Sequence, residues 1–193
     1  MELYVIRHGQ TVWNACGKLQ GNIDIELNEK GIEAAKKFGE SVKNVFFDKI
    51  YSSPLKRAFH TAQLIRGERD IEIVTDNRLK EISFGEAEGA LYTDWFNDTS
   101  EYRYFFTAPE KYNPPEKGES FQSVIERTKD FLKSVIEVQT NRERIMIVAH
   151  GALNKGLMCT LEGNRLENYW GKGLQNNCEA DIFTFDGHAW KRM

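Results

Sequence analysis

Two histidines of this chain stand in the same kind of place. Arg7-His8-Gly9 follows the apolar run Leu3-Tyr4-Val5-Ile6, and His150-Gly151 follows Ile145-Met146-Ile147-Val148-Ala149. Both runs have the length and composition of strands. In an open α/β sheet, ligands bind beyond the carboxyl ends of the strands. Two imidazoles at two such ends suggest one shared site. A third run, Lys49 to Ser52, leads into Ser53-Pro54, with Arg57 on the first turn of the next helix. After the run near Ile73, a short loop reaches Glu81. If the strands are parallel and adjacent, two guanidiniums, two imidazoles and one carboxylate converge. Guanidinium forks match phosphate oxygens bidentately. A helix starting at Gly151 would offer further N–H groups to an anion. The expected ligand is a dianionic phosphate.

The elements that must position these groups alternate. The first helix is expected from Asn28, a good N-cap, with Ile32, Ala35, Phe38, Val42 and Val45 on one side. Pro54 suits the first turn of a helix running to about Arg66. Ile71 to Val74 reads as a strand. The clearest helix spans about 119–139, where Phe121, Val124, Ile125, Thr128, Phe131, Leu132, Val135 and Ile136 recur at helical spacing. Gly151 to Leu161 reads as another helix. Ala180 to Phe185 with Ala189-Trp190 reads as a closing hairpin. The expected fold is a single α/β domain over 1–193. It is a three-layer α/β/α sandwich with a mostly parallel sheet and one antiparallel edge strand. Residues 84–118 interrupt the pattern with Tyr92, Trp95, Phe96, Tyr102, Tyr104, Phe105, Phe106 and Tyr112. Such an excursion serves either as a satellite core or as an aromatic lid over the strand ends.

Composition narrows the function classes. A formal net charge of -3 shows no basic surface for nucleic acid or anionic membrane. No apolar run is long enough for a membrane span, and the opening strand is not a signal peptide. Cys16, Cys159 and Cys178 form no metal spacing, so reduced thiols in a cytoplasmic protein are expected. His60 is read as structural and His188 as a surface turn residue.

Taken together, the motifs resemble those of the histidine phosphatase superfamily, the phosphoglycerate mutase-like family. The resemblance rests on Arg7-His8-Gly9-Gln10-Thr11-Val12-Trp13-Asn14, Gln20-Gly21, Tyr51 to Ala58, Leu79-Lys80-Glu81, Glu88-Gly89, Gly118-Glu119-Ser120 and Val148-Ala149-His150-Gly151. These occur in the family's order across nearly the whole chain. The resemblance implies an enzyme of the histidine acid phosphatase type, a phosphoric monoester hydrolase. In it neutral His8 attacks phosphorus, and Arg7, Arg57 and His150 hold the equatorial oxygens. Asn14, Gln20 and Gly151 line the substrate pocket. Glu81 protonates the leaving oxygen and then activates water. It implies no metal and no cofactor, and a small phosphorylated metabolite as partner; oligomeric state is left open.

One departure is Ala87, where the family often has an aromatic residue before Glu88-Gly89. Glu86 and Glu88 are rivals for the acid role, ranked behind Glu81. The compact chain and the acidic stretch from Glu81 to Gly89 resemble the phosphatase branch, with broad-specificity and α-ribazole phosphatases. The alternative is a cofactor-dependent phosphoglycerate mutase. A metallohydrolase using His8, His150 and Glu81 is disfavoured, because two arginines would repel a divalent cation. A phospho-ligand sensor would require a lost nucleophile or acid, and none is lost.

Overall fold

The computed structural model describes residues 1–139 and 143–193. Four strands are parallel: β1 (Glu2–Arg7), β2 (Lys49–Ser52), β3 (Ile73–Thr75) and β4 (Arg144–Ala149). β5 (Ala180–Phe185) runs antiparallel to β1, and β6 (Trp190–Arg192) forms the edge hairpin with it. Among the described residues the sheet order is β3-β2-β4-β1-β5-β6. The two innermost parallel strands read as near-continuous apolar runs because both faces are covered. Ile145 to Ala149 are fully buried, as are Leu3, Val5 and Ile6.

Helices cover the two faces. On one side α2 (Glu29–Ser41) and α3 (Lys56–Arg66) enclose Ile6, Ile50, Met146 and Val148. On the other, α6 (Phe121–Phe131) and α7 (Gly151–Glu162) enclose Leu3, Val5, Ile145 and Ile147. The expected N-cap holds: Asn28 Oδ1 accepts from Gly31 N at 2.8 Å. A short helix that sequence periodicity did not flag, α1 (Val12–Ala15), precedes it. It forms because Thr11 and Asn14 cap each other reciprocally.

Three boundaries differ from expectation. Pro54 lies before the N-cap Leu55, not inside α3. β3 starts at Ile73 because β2 is only four residues long and pairs from Ile50↔Ile73 to Ser52↔Thr75. Beyond Phe131 the long helix widens into a π-helical stretch, Leu132–Ile136. That keeps Leu132 and Ile136 buried.

The aromatic excursion carries α4 (Tyr92–Trp95) and α5 (Tyr104–Thr107). Phe105 is its hub, with the rings of Phe84, Phe96, Tyr112, Phe121 and Trp170 packed around it at 4.7–5.3 Å between centroids. The excursion is therefore packed onto the core through α6, and part of it also faces the strand ends.

Candidate active site

Register brings the two histidines together. Arg7 pairs with Ala149 and Ser52 with Val148, so His8, His150 and Ser53 emerge side by side. The backbone continues this pairing: His8 N donates to Ala149 O and Ser53 N to Val148 O, both at 3.0 Å. The imidazole centroids lie 5.1 Å apart.

His8 is 3% exposed. Its Nδ1 lies 2.6 Å from the Gly9 carbonyl oxygen. A carbonyl only accepts, so Nδ1 carries the hydrogen and Nε2 keeps its lone pair. Burial, then the positive charges of Arg57 and Arg7, hold the His8 pKa well below the usual histidine value. The ring is therefore neutral near pH 7. Gly9 is needed beside it, because a Cβ there would come within 2.6 Å of the Gly31 carbonyl oxygen.

Both guanidiniums are anchored, and each leaves its Nε without a partner among the described residues. Arg57, fully buried on the first turn of α3, donates from Nη1 to Ile23 O at 2.8 Å and from Nη2 to Gly21 O at 2.7 Å. Burial pushes its pKa down to about 10, so the guanidinium stays charged near neutrality. Arg7 Nη1 donates to Gln175 O at 2.5 Å. His150 Nε2 lies 2.8 Å from Ser53 Oγ. Burial, ahead of Arg57 and His8, also lowers the His150 pKa well below the ordinary value. Arg7 Nε, Arg57 Nε and His150 Nδ1 are buried without a hydrogen-bond partner. Buried polar atoms are nearly always paired. Three orphans grouped around a nucleophile suit an oxyanion.

Glu81 corrects one expectation. The second and third N–H groups of α7 go to Glu81, and that of Gly151, on the cavity lining, does not. Leu153 N donates to Glu81 Oε1 at 2.8 Å and Ala152 N to Oε2 at 3.2 Å. Ile82 N adds a third bond, to Oε1, at 3.0 Å. The helix N-terminus thus seats the carboxylate, as its dipole favours. Arg127 on α6 steadies the loop before it, donating to the carbonyls of Arg78 and Lys80 at 2.6 and 2.8 Å.

The two rival carboxylates have other work. Glu88 accepts from Asn22 N, Ile23 N and Phe84 N, so it ties down the same loop that Arg57 holds. A Cβ on Gly21 would strike its Oε1 at 2.0 Å. Glu86 faces Lys117 across 3.6 Å at the surface.

These groups open into a cavity of about 420 Å³. Arg7, His8, Asn14, Gln20, Arg57, Glu81 and Gly151 form its polar lining. Gln20 Oε1 accepts from Thr11 Oγ1 at 2.9 Å. His150 is fully buried, with its ring edge-on to that of His8 at the floor of the site. Leu19, Phe84, Tyr92, Phe105, Phe106, Trp170 and Leu174 supply its apolar lining, with Leu174 close to Gly151. His60 and His188 lie outside it, as expected.

One part of the site carried no signal in the sequence. The turn at 174–179 grips the end of β1 and His8 through four hydrogen bonds. Gln175 O receives Arg7 Nη1, and Gln175 Nε2 donates to Val5 O at 3.0 Å. Asn177 Nδ2 donates to His8 O at 2.8 Å. Cys178 N donates to Arg7 O at 2.9 Å. Cys178 takes φ +57°, a left-handed conformation that is costly for a side chain at a functional turn. Cys178→Gly should therefore keep full activity, whereas Cys178→Val should lower kcat by about tenfold or more. Steady-state kinetics on the two variants checks this; equal activities would contradict it.

Two imidazoles buried neutral also make stability depend on pH. Above the ordinary value of 6.5, folded and unfolded chains both hold them uncharged. Below it the unfolded chain binds protons that the folded chain refuses, so stability falls as pH falls. The melting temperature should drop between pH 6.5 and about 5.5, before most carboxylates titrate. A flat profile in that window would contradict neutral burial.

Comparison with known proteins agrees with this geometry. The model of the histidine phosphatase superfamily (branch 1) matches residues 3–192. Phosphoserine phosphatase 1 of Hydrogenobacter thermophilus is 32% identical over 91% of this chain and 83% of its own length. The adenosylcobalamin/alpha-ribazole phosphatase of Escherichia coli is 29% identical, covering 94% of this chain and 89% of that protein. The structure of Bacillus stearothermophilus YhfR superposes with a TM-score of 0.92 at 33% identity, over 99% of this chain and 94% of that one. The chain belongs to the histidine phosphatase superfamily. It is an enzyme that hydrolyses phosphate monoesters.

Proposed function

We propose that this single-domain enzyme is of the histidine acid phosphatase type and works on small phosphorylated metabolites through a phosphohistidine at His8. The observation that carries the reading is the buried, neutral His8. Its Nδ1 is committed to Gly9 O, and its Nε2 is free between two arginines. Nε2 attacks phosphorus in line, and the ester oxygen leaves with a proton that Glu81 shares with the phosphate of the bound monoester. The N–P bond forms as the P–O bond breaks. Arg7 Nε, Arg57 Nε and His150 Nδ1 are the orphaned groups that meet the equatorial oxygens as charge builds on them. Asn14 and Gln20 add neutral donors from the pocket edge. Glu81, now ionised, takes a proton from water, which attacks phosphorus and returns His8 and inorganic phosphate. Both partners of the reaction are small molecules, and no metal or cofactor enters a step.

The apolar lining of the cavity favours esters with some hydrophobic surface in the leaving group. It is poorly suited to a bisphosphate. Beyond Arg7 and Arg57, Lys18 is the one further cation among the described lining residues. That disfavours a mutase, which must hold two phosphates. The aromatic excursion at 84–118 is read as the lid that selects the leaving group. No described helix is long and apolar enough to cross a membrane. Three unpaired cysteines fit a cytoplasmic enzyme.

The test is a panel of phosphomonoesters in EDTA: p-nitrophenyl phosphate, α-ribazole phosphate, phosphoserine and 3-phosphoglycerate with its bisphosphate primer. Release of inorganic phosphate, fastest from the esters with apolar leaving groups, is expected. Isomerisation of phosphoglycerate without net phosphate release would overturn the reading.

A further inference from the structure

Outside the phosphate pocket, one lysine has a buried stem and an ammonium that opens onto a second cavity. Lys155 on α7 is 4% exposed, and its ammonium makes no hydrogen bond or ion pair among the described residues. Burial, and then the nearby charge of Arg192, lower the Lys155 pKa. The side chain lines a second cavity, of about 250 Å³, shared with Lys172, Asn168 and Arg192.

The charges there do not cancel. Glu162 is the carboxylate in the wall, and it is already taken. Arg192 Nη1 donates to its Oε1 at 2.8 Å and Asn164 Nδ2 to its Oε2 at 2.7 Å. The other guanidinium nitrogen of Arg192 is bound to Asp181. Among the described residues neither Lys155 nor Lys172 has an ion pair. We propose that this cavity is a second anion site, taking one small oxyanion, phosphate or carboxylate, between Lys155 and Lys172.

The site has a route to the first one. Trp170 lines both cavities. Its Nε1 donates to Phe105 O at 2.6 Å, and its ring packs on Phe105 and Phe106, which face the substrate. An anion beside Lys172 presses on one side of a wall whose other side meets the leaving group. Coupling of this kind is reciprocal.

The binding test does not depend on turnover. The phosphate pocket is first saturated with vanadate, and the protein is then titrated by calorimetry with inorganic phosphate and, separately, with citrate. Ionic strength is held constant with chloride. One saturable equivalent is expected for at least one probe. Phosphate alone identifies a phosphate site, citrate alone a carboxylate site, and both a general oxyanion site. Binding should weaken about tenfold in Lys172→Ala and vanish in Lys155→Met. Lys172 is exposed, so its variant decides the matter if Lys155→Met does not fold. No saturable heat from either anion, or the same affinity in the folded variants as in the parent, would overturn the proposal.

Discussion

His8→Ala is expected to lose at least about 10⁴-fold in kcat on every phosphomonoester. The variant should still bind phosphate, because Arg7, Arg57 and His150 stay in place. Removing a nucleophile takes away the covalent route entirely, and positioning of water by two arginines recovers only a little. The loss should be independent of leaving group, since no ester can be attacked without Nε2. The fold should survive. His8 is held mainly through its backbone, by Ala149 and Asn177, and those bonds remain in alanine. Activity assays, with inorganic phosphate affinity and a thermal melt as the controls for folding, check both halves. A variant that kept even a hundredth of the parent rate would remove His8 from the nucleophile role.

Glu81→Gln should show the opposite selectivity. As the acid, Glu81 matters most when the leaving oxygen is strongly basic. We expect kcat/KM to fall about 10²–10⁴-fold for alkyl phosphates and little for p-nitrophenyl phosphate. The comparison uses kcat/KM because that ratio reports steps up to phosphoenzyme formation. kcat should fall for both esters, since hydrolysis of the intermediate needs the same residue as base. The substitution is conservative in geometry. Glutamine can keep an oxygen at the Oε1 position, where Ile82 N and Leu153 N both donate. Equal slowing of kcat/KM for good and poor leaving groups would remove Glu81 from the acid role.

The pH profile carries a related consequence. His8 acts as a base-free nucleophile only when neutral, and its burial between two arginines lowers its pKa. The acid limb of kcat/KM assigned to His8 should therefore fall below the ordinary histidine value of 6.5. Rates measured in a constant-ionic-strength buffer series would show this. A limb at or above that value would mean that the ring is solvated in the working enzyme.

Much of this site could be read from the chain because strands deliver residues in register. Arg7, His8 and His150 are each the last or next residue of a buried apolar run. Ladder pairing then fixes their neighbours. Glu81 was reachable only through a loop, and its place depended on something sequence does not display, the N-terminus of α7. Of the N–H groups at that helix end, those of Ala152 and Leu153 serve the carboxylate, while Gly151 stays on the lining of the pocket. The role of Glu88 was hidden for a similar reason. Its partners are backbone N–H groups at Asn22 and Ile23, which carry no side-chain signature. The turn at 174–179 left still less trace. Its grip on the end of β1 uses backbone groups of Gln175 and the left-handed Cys178, and the amide side chains of Gln175, on Val5, and Asn177, on His8. None of these departs from ordinary composition.

The claim on which the account rests is a covalent phosphate on His8. Rapid mixing of enzyme with a slow excess of p-nitrophenyl phosphate, quenched in alkali and digested, tests it most directly. The account predicts a burst of nitrophenol near one equivalent per site. It also predicts an acid-labile, alkali-stable phosphate on the peptide containing His8. A linear time course with no labelled peptide, or label on another residue, would contradict it.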